Sequence, residues 1–128
     1  MSISNVNERY FIDCKTPESA YVLGFLWGDG YLSKRNNINI KKKQTWNIAT
    51  ECVKIDLDEI EYLFHKSGKW SSSTRHRANR QEQMEIKTCN KKLYLFLESH
   101  NYSNKSYSLP TILDIIPNYL KHYWWRGY

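Results

Sequence analysis

The sequence predicts an α+β domain in which one antiparallel sheet is covered on one face by helices. Its predicted elements follow the order helix, two strands, helix, two strands, helix, helix along 128 residues. The strands come in two hairpins, within residues 31–52 and 69–88, and hairpin strands pair antiparallel. The aromatic fraction of 15% and the hydrophobic fraction of 41% argue against disorder, and the length fits a single domain over residues 1–128.

The first predicted helix, residues 17–28, follows a polar segment, residues 1–15, that we expect to be an extended arm. Thr16 can cap this helix, Pro17 suits its first position, and Glu18 complements its positive end. Its apolar run is too short to cross a bilayer. We therefore predict a buried helix and no membrane partner.

One face of this helix carries only small residues. Ala20, Gly24 and Gly28 recur every four residues and therefore share that face. Glycine inside a helix costs about 1 kcal/mol relative to alanine, so we expect a second helix very close by, either the chain's own last helix or one from another subunit. The helix ends at Gly28-Asp29-Gly30. This places a carboxylate at the negative helix end, where a bound cation would offset the repulsion.

Apolar and polar residues alternate within the first hairpin, residues 31–52, as they do in strands. Its connection is predicted either at residues 35–37 or at residues 41–44. The second hairpin is predicted to pair residues 69–77 with residues 83–88.

Three further helices are predicted. Apolar residues recur at helical spacing over residues 56–67, and Gly68 can end that helix. Asn90 suits the N-cap of a third helix, and Pro117 suits the first position of the last. The apolar residues of the second and third helices are Leu57, Ile60, Leu63, Phe64, Leu93, Leu95, Phe96 and Leu97.

Charge and cysteine content indicate partner and compartment. The net charge of +6, together with many aromatic residues, favours a polyanionic partner. Cys14, Cys52 and Cys89 are odd in number, widely spaced and without metal-ligand spacing. We therefore expect reduced thiols in an intracellular protein of the cytoplasm or nucleoid.

The segment VLGFLWGDG, residues 22–30, resembles the LAGLIDADG motif of homing endonucleases position by position. The first motif would occupy residues 17–30. Three later segments also resemble the family in the right order, so that the resemblance covers nearly the whole chain: YLSKRNN after the motif, NKS at 104–106, and YLKHYWWRGY at the end. The resemblance implies an αββαββα fold with a saddle-shaped antiparallel sheet and helices on one face.

The same resemblance implies an active site. Asp29 matches the acidic residue that binds the catalytic metal, with Gly28 beside it, and Mg²⁺ or another divalent cation would be the cofactor. Lys105 resembles the family's lysine near the active site, where it would stabilise developing charge. Gly24 matches the glycine at the helix contact.

The last helix, residues 117–128, resembles the start of a second, truncated motif in which Gly127 matches Gly24. In the family, two motif helices pack together so that two acids meet beside the scissile phosphates. The sequence ends before the residue that would match Asp29. We therefore expect the second acid to come from a second copy of the chain or from a separately encoded C-terminal half.

Basic and amide side chains are interleaved along both predicted hairpins. A two-stranded ribbon fits the major groove of B-DNA, where Arg and Lys contact phosphates or guanine and Asn and Gln suit adenine. The candidate DNA-binding residues are Lys34, Arg35, Asn36, Asn37, Lys41, Lys42, Lys43, Gln44, Arg75, His76, Arg77, Asn79, Arg80, Gln81 and Gln83.

Two functions follow from these features. The first is a LAGLIDADG-type endonuclease, or its N-terminal half, that binds duplex DNA and hydrolyses phosphodiester bonds with divalent metal once a second half is supplied. The alternative is a cleavage-deficient nucleic-acid-binding protein, such as an RNA-binding intron maturase, a DNA-binding regulator or the remnant of a split endonuclease. Asp29 favours the first function, and the missing second acid favours the alternative.

Replacing Lys41, Lys42 and Lys43 together by alanine should weaken binding to duplex DNA, because lysines that meet phosphates release counterions. If about six basic residues contact phosphates, log K should fall against log salt with a slope near −5, and the triple variant should show about −3. Fluorescence anisotropy at several salt concentrations measures both quantities. An unchanged affinity and slope would contradict the placement of these lysines.

Overall fold

The computed structural model describes residues 6–37, 43–75, 81–107 and 109–128. Its α-helices are α1 Arg9–Ile12, α2 Pro17–Asp29, α3 Lys54–His65, α4 Lys91–Ser99 and α5 Lys121–Gly127. Its strands are β1 Gly30–Asn37, β2 Lys43–Val53, β3 Ser71–Arg75 and β4 Gln83–Cys89. The strands form one antiparallel sheet in the order β1-β2-β4-β3. The predicted α+β class is therefore confirmed.

Helix α2 begins at the predicted residue because its first turn is capped. Thr16 Oγ1 accepts a hydrogen bond from the Ser19 main-chain N–H at 3.1 Å, and the Ser19 hydroxyl accepts one from the Thr16 N–H at 3.2 Å. This reciprocal pair is a capping box in which serine replaces the usual Glu or Gln. The helix continues through Asp29, one residue beyond the predicted end, and β1 starts at the next residue.

The expectation of an extended arm over residues 1–15 is wrong from Val6 onward. Val6 forms a β-bridge to Gly68, and the short helix α1 follows. Val6, Phe11 and Cys14 are all buried. Burying a large apolar side chain such as Phe11 stabilises the fold by about 1.5–3 kcal/mol, which favours the folded-back path over an arm in solvent.

The register of the first hairpin disagrees with both of its predicted connections. β1 pairs with β2 as far as Asn37, which lies opposite Lys43. Residues 35–37 are therefore strand residues, and a connection there is excluded. The alternative at residues 41–44 is also wrong for Lys43 and Gln44, which belong to β2 and pair with Asn37 and Asn36. Residues 38–42, between the two strands, lie outside the described residues.

The second hairpin pairs β3 with β4 as far as Arg75, which lies opposite Gln83. Its connection includes residues 76–80, which the structure does not describe. β3 starts at Ser71, two residues after the predicted start.

The two faces of the sheet differ. Leu32 lies opposite Ile48, and both pack in the core, which also contains Ile86 of β4. Helices α2, α3 and α4 contact the sheet. The other face, which we call the open face, carries Glu85 and the exposed Lys87.

Helices α3 and α4 follow most of the predicted pattern. Leu57 and Phe64 of α3 are fully buried, and the helix starts at Lys54, two residues earlier than predicted. In α4, the side chain of Asn90 caps the helix as predicted. Leu95 of α4 is 46% exposed, because the buried residues of this helix lie on its opposite side.

The last helix also starts later than predicted. A 3₁₀-helix over Asn118–Leu120 follows Pro117, and α5 begins only at Lys121. In the part of the chain that the structure describes, no helix combines the length and apolar character needed to span a bilayer.

Helix α5 lies against α2 with main chain touching main chain. A Cβ atom at Gly24 would lie within 3.0 Å of the Trp124 carbonyl oxygen, and one at Gly127 would lie equally close to the Tyr21 carbonyl oxygen. Each glycine thus meets the residue three positions before the other glycine. The contact is therefore approximately two-fold symmetric.

The same contact continues toward the C-terminal ends of both helices. A Cβ atom at Gly28 would lie 2.6 Å from the Tyr128 carbonyl oxygen. Because Gly24 meets Trp124 and Gly28 meets Tyr128, the two helices run in the same direction. Gly24 and Gly28 of the small-residue face are therefore in contact with the chain's own C-terminal segment. This is the first of the two partners expected from the sequence.

Gly24→Ala should destabilise the protein, although alanine is the better helix former by about 1 kcal/mol. The added methyl group meets a main-chain carbonyl that cannot rotate away, and such overpacking costs about 1–3 kcal/mol or more. We expect a net loss of about 2 kcal/mol in the free energy of unfolding. Urea unfolding followed by circular dichroism measures it.

The control is Glu59→Ala, at an exposed position of α3, which should change the free energy of unfolding little. A Gly24→Ala variant as stable as the wild type, or more stable, would contradict the close contact with α5.

Candidate functional site

Asp29 ends α2, and its side chain is exposed at the helix tip. The negative end of the helix dipole lies at the same place. The main chain of Asp29 is held to the sheet, because Thr50 Oγ1 of β2 donates a hydrogen bond to its carbonyl oxygen at 3.3 Å. The carboxylate therefore projects from a turn that is fixed to both a helix and a strand.

Two side chains from the segment after α4 also hold this turn. The hydroxyl group of Tyr102 donates a hydrogen bond to the Leu26 carbonyl oxygen. Lys105 Nζ donates one to the Gly30 carbonyl oxygen at 2.7 Å and lies 3.5 Å from the Leu26 carbonyl oxygen. Carbonyl groups on both sides of Asp29 thus receive donors from residues more than 70 positions later in the sequence.

The charges at the α2 tip act on one another. Burial lowers the pKa of Lys105, and the carboxylate of Asp29 acts in the opposite direction. Burial also raises the pKa of Tyr102, and Asp29 raises it further. Asp29 and Lys105 are therefore close enough to influence each other electrostatically.

Sequence reasoning identified Lys105 only through the family resemblance, and it missed Tyr102. Tyr102 starts a short 3₁₀-helix, Tyr102–Asn104, and Lys105 follows three residues after Tyr102. Residues three apart project to the same side of such a helix. This spacing was the signal available in the sequence, but only a prediction of a 3₁₀-helix would have revealed it.

The donors at the α2 tip suit a hard divalent cation. Among the described residues, no group of three or more His, Cys, Asp or Glu side chains could hold a metal ion. Asp29 provides a carboxylate, and the exposed Gly28 provides a main-chain carbonyl beside it. Mg²⁺ is commonly held by one or two carboxylates together with waters and phosphate oxygens, so the donor types fit.

The candidate DNA-binding residues fall into three groups. Six lie outside the described residues: Lys41, Lys42, His76, Arg77, Asn79 and Arg80. Seven are strand residues near the hairpin connections: Arg35, Asn36, Asn37, Lys43, Gln44, Arg75 and Gln83. The other two are Lys34, farther along β1, and Gln81, just before β4.

The sheet separates the two hairpin connections. β2 starts at the first connection, β4 starts at the second, and these two strands are antiparallel neighbours. The connections therefore lie at opposite ends of the sheet. The length of β2, Lys43–Val53, sets their separation at about 30 Å, given a rise of about 3.3 Å per residue.

Lys34 lies on the side of the sheet that contacts α4. It is paired in register with Trp46, and its Nζ atom is 4.7 Å from the centre of that ring. Lys91 of α4 lies 5.2 Å from the same ring centre. The ammonium groups of Lys34 and Lys91 therefore both lie near the Trp46 ring. Lys34 does not belong to the open face.

Two glutamates face each other on the open face, near the exposed Lys87, which the sequence analysis missed. Glu85 accepts a hydrogen bond from the Tyr31 hydroxyl group, and Glu51 lies directly opposite Glu85 in the register. Like charges in directly opposed positions destabilise a sheet, so two glutamates here are unfavourable for folding alone. Alternation within each strand could have placed them on one face, but only the register makes them neighbours.

Comparison with known proteins adds no identification. Neither the models of known protein families nor the curated proteins contain a match to this chain. The interpretation of the site therefore depends on the residues and geometry described above.

Cys52 should react slowly with iodoacetamide, because burial, aided by the charges of Asp29 and Asp56, raises its pKa to about 11. At pH 8 about one such thiol in a thousand is the reactive thiolate, and the rate should rise about tenfold per pH unit until the pH reaches about 11. Peptide mass spectrometry of the native protein measures the rate, with the exposed Cys89 as the reference.

Asp29→Asn removes one of the two negative charges that raise the pKa of Cys52, so it should accelerate this reaction. The rate at Cys89 should stay the same. An unchanged ratio of the two rates would indicate that Asp29 lies too far from Cys52 to act on it.

Proposed function

We propose that this chain is the N-terminal half of a LAGLIDADG-type endonuclease, which binds duplex DNA and hydrolyses phosphodiester bonds with a divalent metal. The observation that carries the proposal is the two-fold contact of Gly24 with Trp124 and Gly127 with Tyr21. The glycine of the first motif and its counterpart in the last helix occupy equivalent positions in this contact. A contact of this kind is what two paired motif helices require.

The symmetry of the contact also indicates where a second acid would come from. Asp29 follows Gly24 by five residues, so its counterpart would follow Gly127 by five residues. That position lies beyond Tyr128, in a continuation of the chain or in a separately encoded half. A second copy of this chain could supply its own Asp29 through the same face only by displacing α5. We therefore favour a complementary half over a homodimer.

Asp29, Gly28 and Lys105 would each have a separate role at the α2 tip. Asp29 would hold the cation beside a scissile phosphate, with the Gly28 carbonyl next to it. When bound, a divalent cation polarises the phosphate and lowers the pKa of its attacking water. The Lys105 ammonium group, which lies against the turn at the Gly30 carbonyl, would offset negative charge that builds up during hydrolysis.

The sheet geometry suits a long DNA site. Hairpin connections about 30 Å apart would span about nine base pairs at 3.4 Å per pair. Basic residues near the connections would meet phosphates at both ends of that segment. The two facing glutamates, Glu51 and Glu85, would not attract phosphates. Glu85 is buried against Tyr31, whereas the partly exposed Glu51 can accept a hydrogen bond from the amino group of cytosine.

A second candidate function is nucleic-acid binding without cleavage, as in an intron maturase or a DNA-binding regulator. It is favoured because the described residues include no group of three or more His, Cys, Asp or Glu side chains that could hold a metal ion. The two functions differ in whether supplying a second half restores metal-dependent cutting.

Asp29→Asn should abolish cutting and leave binding nearly intact, because the acid serves the reacting phosphate while the hairpins hold the duplex. Duplexes selected from a random library by the wild-type chain provide the substrate. The chain and a C-terminal half together should cut them with Mg²⁺. The variant should cut at least roughly 100-fold more slowly, with an affinity within about threefold of the wild type.

The matched control is Asp114→Asn, at an exposed position in a 3₁₀-helix, which should cut like the wild type. Metal-dependent cutting that survives in Asp29→Asn would refute the catalytic assignment. No cutting by the wild-type chain with any C-terminal half would favour the binding protein.

A further inference from the structure

Tyr102 connects the two ionic groups of the candidate site. Its side chain is 2% exposed, its ring meets the edge of Trp27 at 4.8 Å between ring centres, and its hydroxyl group donates to the Leu26 carbonyl oxygen. The Lys105 Nζ atom lies 4.7 Å from the centre of the same ring. One side chain therefore contacts both the helix that ends in Asp29 and the ammonium group that lies near it.

We propose that Tyr102 is a positioning residue, which fixes the turn that carries Asp29 relative to Lys105. The inference depends on the proposed metal-binding role of Asp29. The inference concerns only the orientation of Asp29, and it assigns Tyr102 no role in the reaction itself.

The second glycine of the Gly28-Asp29-Gly30 turn leaves room for the hydrogen bond between the Tyr102 hydroxyl group and the Leu26 carbonyl oxygen. A Cβ atom at Gly30 would lie 2.6 Å from the Tyr102 hydroxyl oxygen and 2.5 Å from the Leu26 carbonyl oxygen. Any other residue at this position would push the hydroxyl group away from the carbonyl. The φ angle of Gly30, −85°, is one that other residues adopt readily, so backbone strain does not require glycine here. The space around its Cβ position does, because the Leu26 main chain and the Tyr102 hydroxyl group both occupy it.

The Leu26 carbonyl oxygen accepts more than one hydrogen bond. It accepts the main-chain N–H of Gly30, which closes the end of α2, and it also accepts the Tyr102 hydroxyl group. Removing the hydroxyl group therefore leaves this carbonyl paired and the helix closed. What is lost is one of the hydrogen bonds between the helix end and the segment that carries Lys105, so a looser orientation of the turn is expected without loss of the fold.

Tyr102→Phe tests the contribution of the hydroxyl group to the orientation of the turn, because it keeps the ring between Trp27 and Lys105 and removes only the hydroxyl group. The probe is Mn²⁺, whose paramagnetic broadening of amide signals reports weak sites residue by residue. In the wild-type chain, Mn²⁺ should first broaden the amide signals of Gly28, Asp29 and Gly30. In Tyr102→Phe, we expect the Mn²⁺ concentration at which these signals are half broadened, the midpoint, to rise about fivefold. This is the factor expected for one lost hydrogen bond.

Two matched variants accompany the titration. Tyr94→Phe removes a hydroxyl group from a partly buried tyrosine that packs on Trp46, away from the α2 tip, and it should leave the midpoint unchanged. Gly30→Ala crowds both the Tyr102 hydroxyl group and the Leu26 main chain, so it should raise the midpoint at least as much as Tyr102→Phe does. If Tyr102→Phe fails to fold, an unchanged midpoint in Gly30→Ala still overturns the inference.

Asp29→Asn separates this inference from the proposed function. If broadening near Gly28 persists in Asp29→Asn, the metal site proposed at Asp29 is wrong, and the role of Tyr102 falls with it. If Asp29→Asn abolishes the broadening while Tyr102→Phe and Gly30→Ala keep the wild-type midpoint, the positioning role alone is overturned. A lower melting temperature of Tyr102→Phe at an unchanged midpoint would likewise overturn it, because the hydroxyl group would then serve stability only.

Discussion

The approach of α2 and α5 at Gly24 and Gly127 is the constraint on which the rest of the structure depends. Two main chains can come this close only where neither carries a side chain at the crossing. Each glycine costs its helix about 1 kcal/mol in conformational entropy, and the buried rings beside the crossing offset that cost. Trp124 is fully buried there and contacts the ring of Trp27. The remaining faces of α2 are then free to pack on α3 and on the sheet.

This packing leaves the tip of α2 as the place where opposing charges meet. A carboxylate and the negative end of a helix repel each other there. The Lys105 ammonium group and the hydroxyl groups of Tyr102 and Thr50 donate to the carbonyl groups around Asp29 and offset part of that repulsion. The carboxylate itself stays exposed, so the turn is held by its main chain while its side chain remains available.

Features that depend on neighbours in the sequence were predictable. The start of α2 follows from Thr16 and Pro17, and the cap of α4 follows from Asn90, because both signals act within one helical turn. The N-terminal segment was not predictable, since Val6 pairs with Gly68, far along the chain. The opposition of Glu51 and Glu85 likewise depends on strand register, which local alternation does not determine.

The candidate site likewise depends on contacts between residues far apart in the sequence, which could not be predicted. The spacing of Ala20, Gly24 and Gly28 predicted a close helix contact, but whether the partner was α5 or another subunit required the structure. Asp29 and Lys105 were identified by resemblance to motifs. Tyr102 had no such motif, and its contact with Leu26 spans 76 positions, so only the folded chain reveals it.

That separation has a consequence for the order in which the protein is made. The motif at the start of the chain leaves the ribosome long before Tyr102 and Lys105 are synthesised, and contacts across 75 or more positions form late because a long loop must close first. A nascent chain therefore carries the acid for some time before its surroundings exist. The turn that carries Asp29 gains its contacts with Tyr102 and Lys105 only when the segment after α4 has docked on the end of α2, by which time most of the chain has been made.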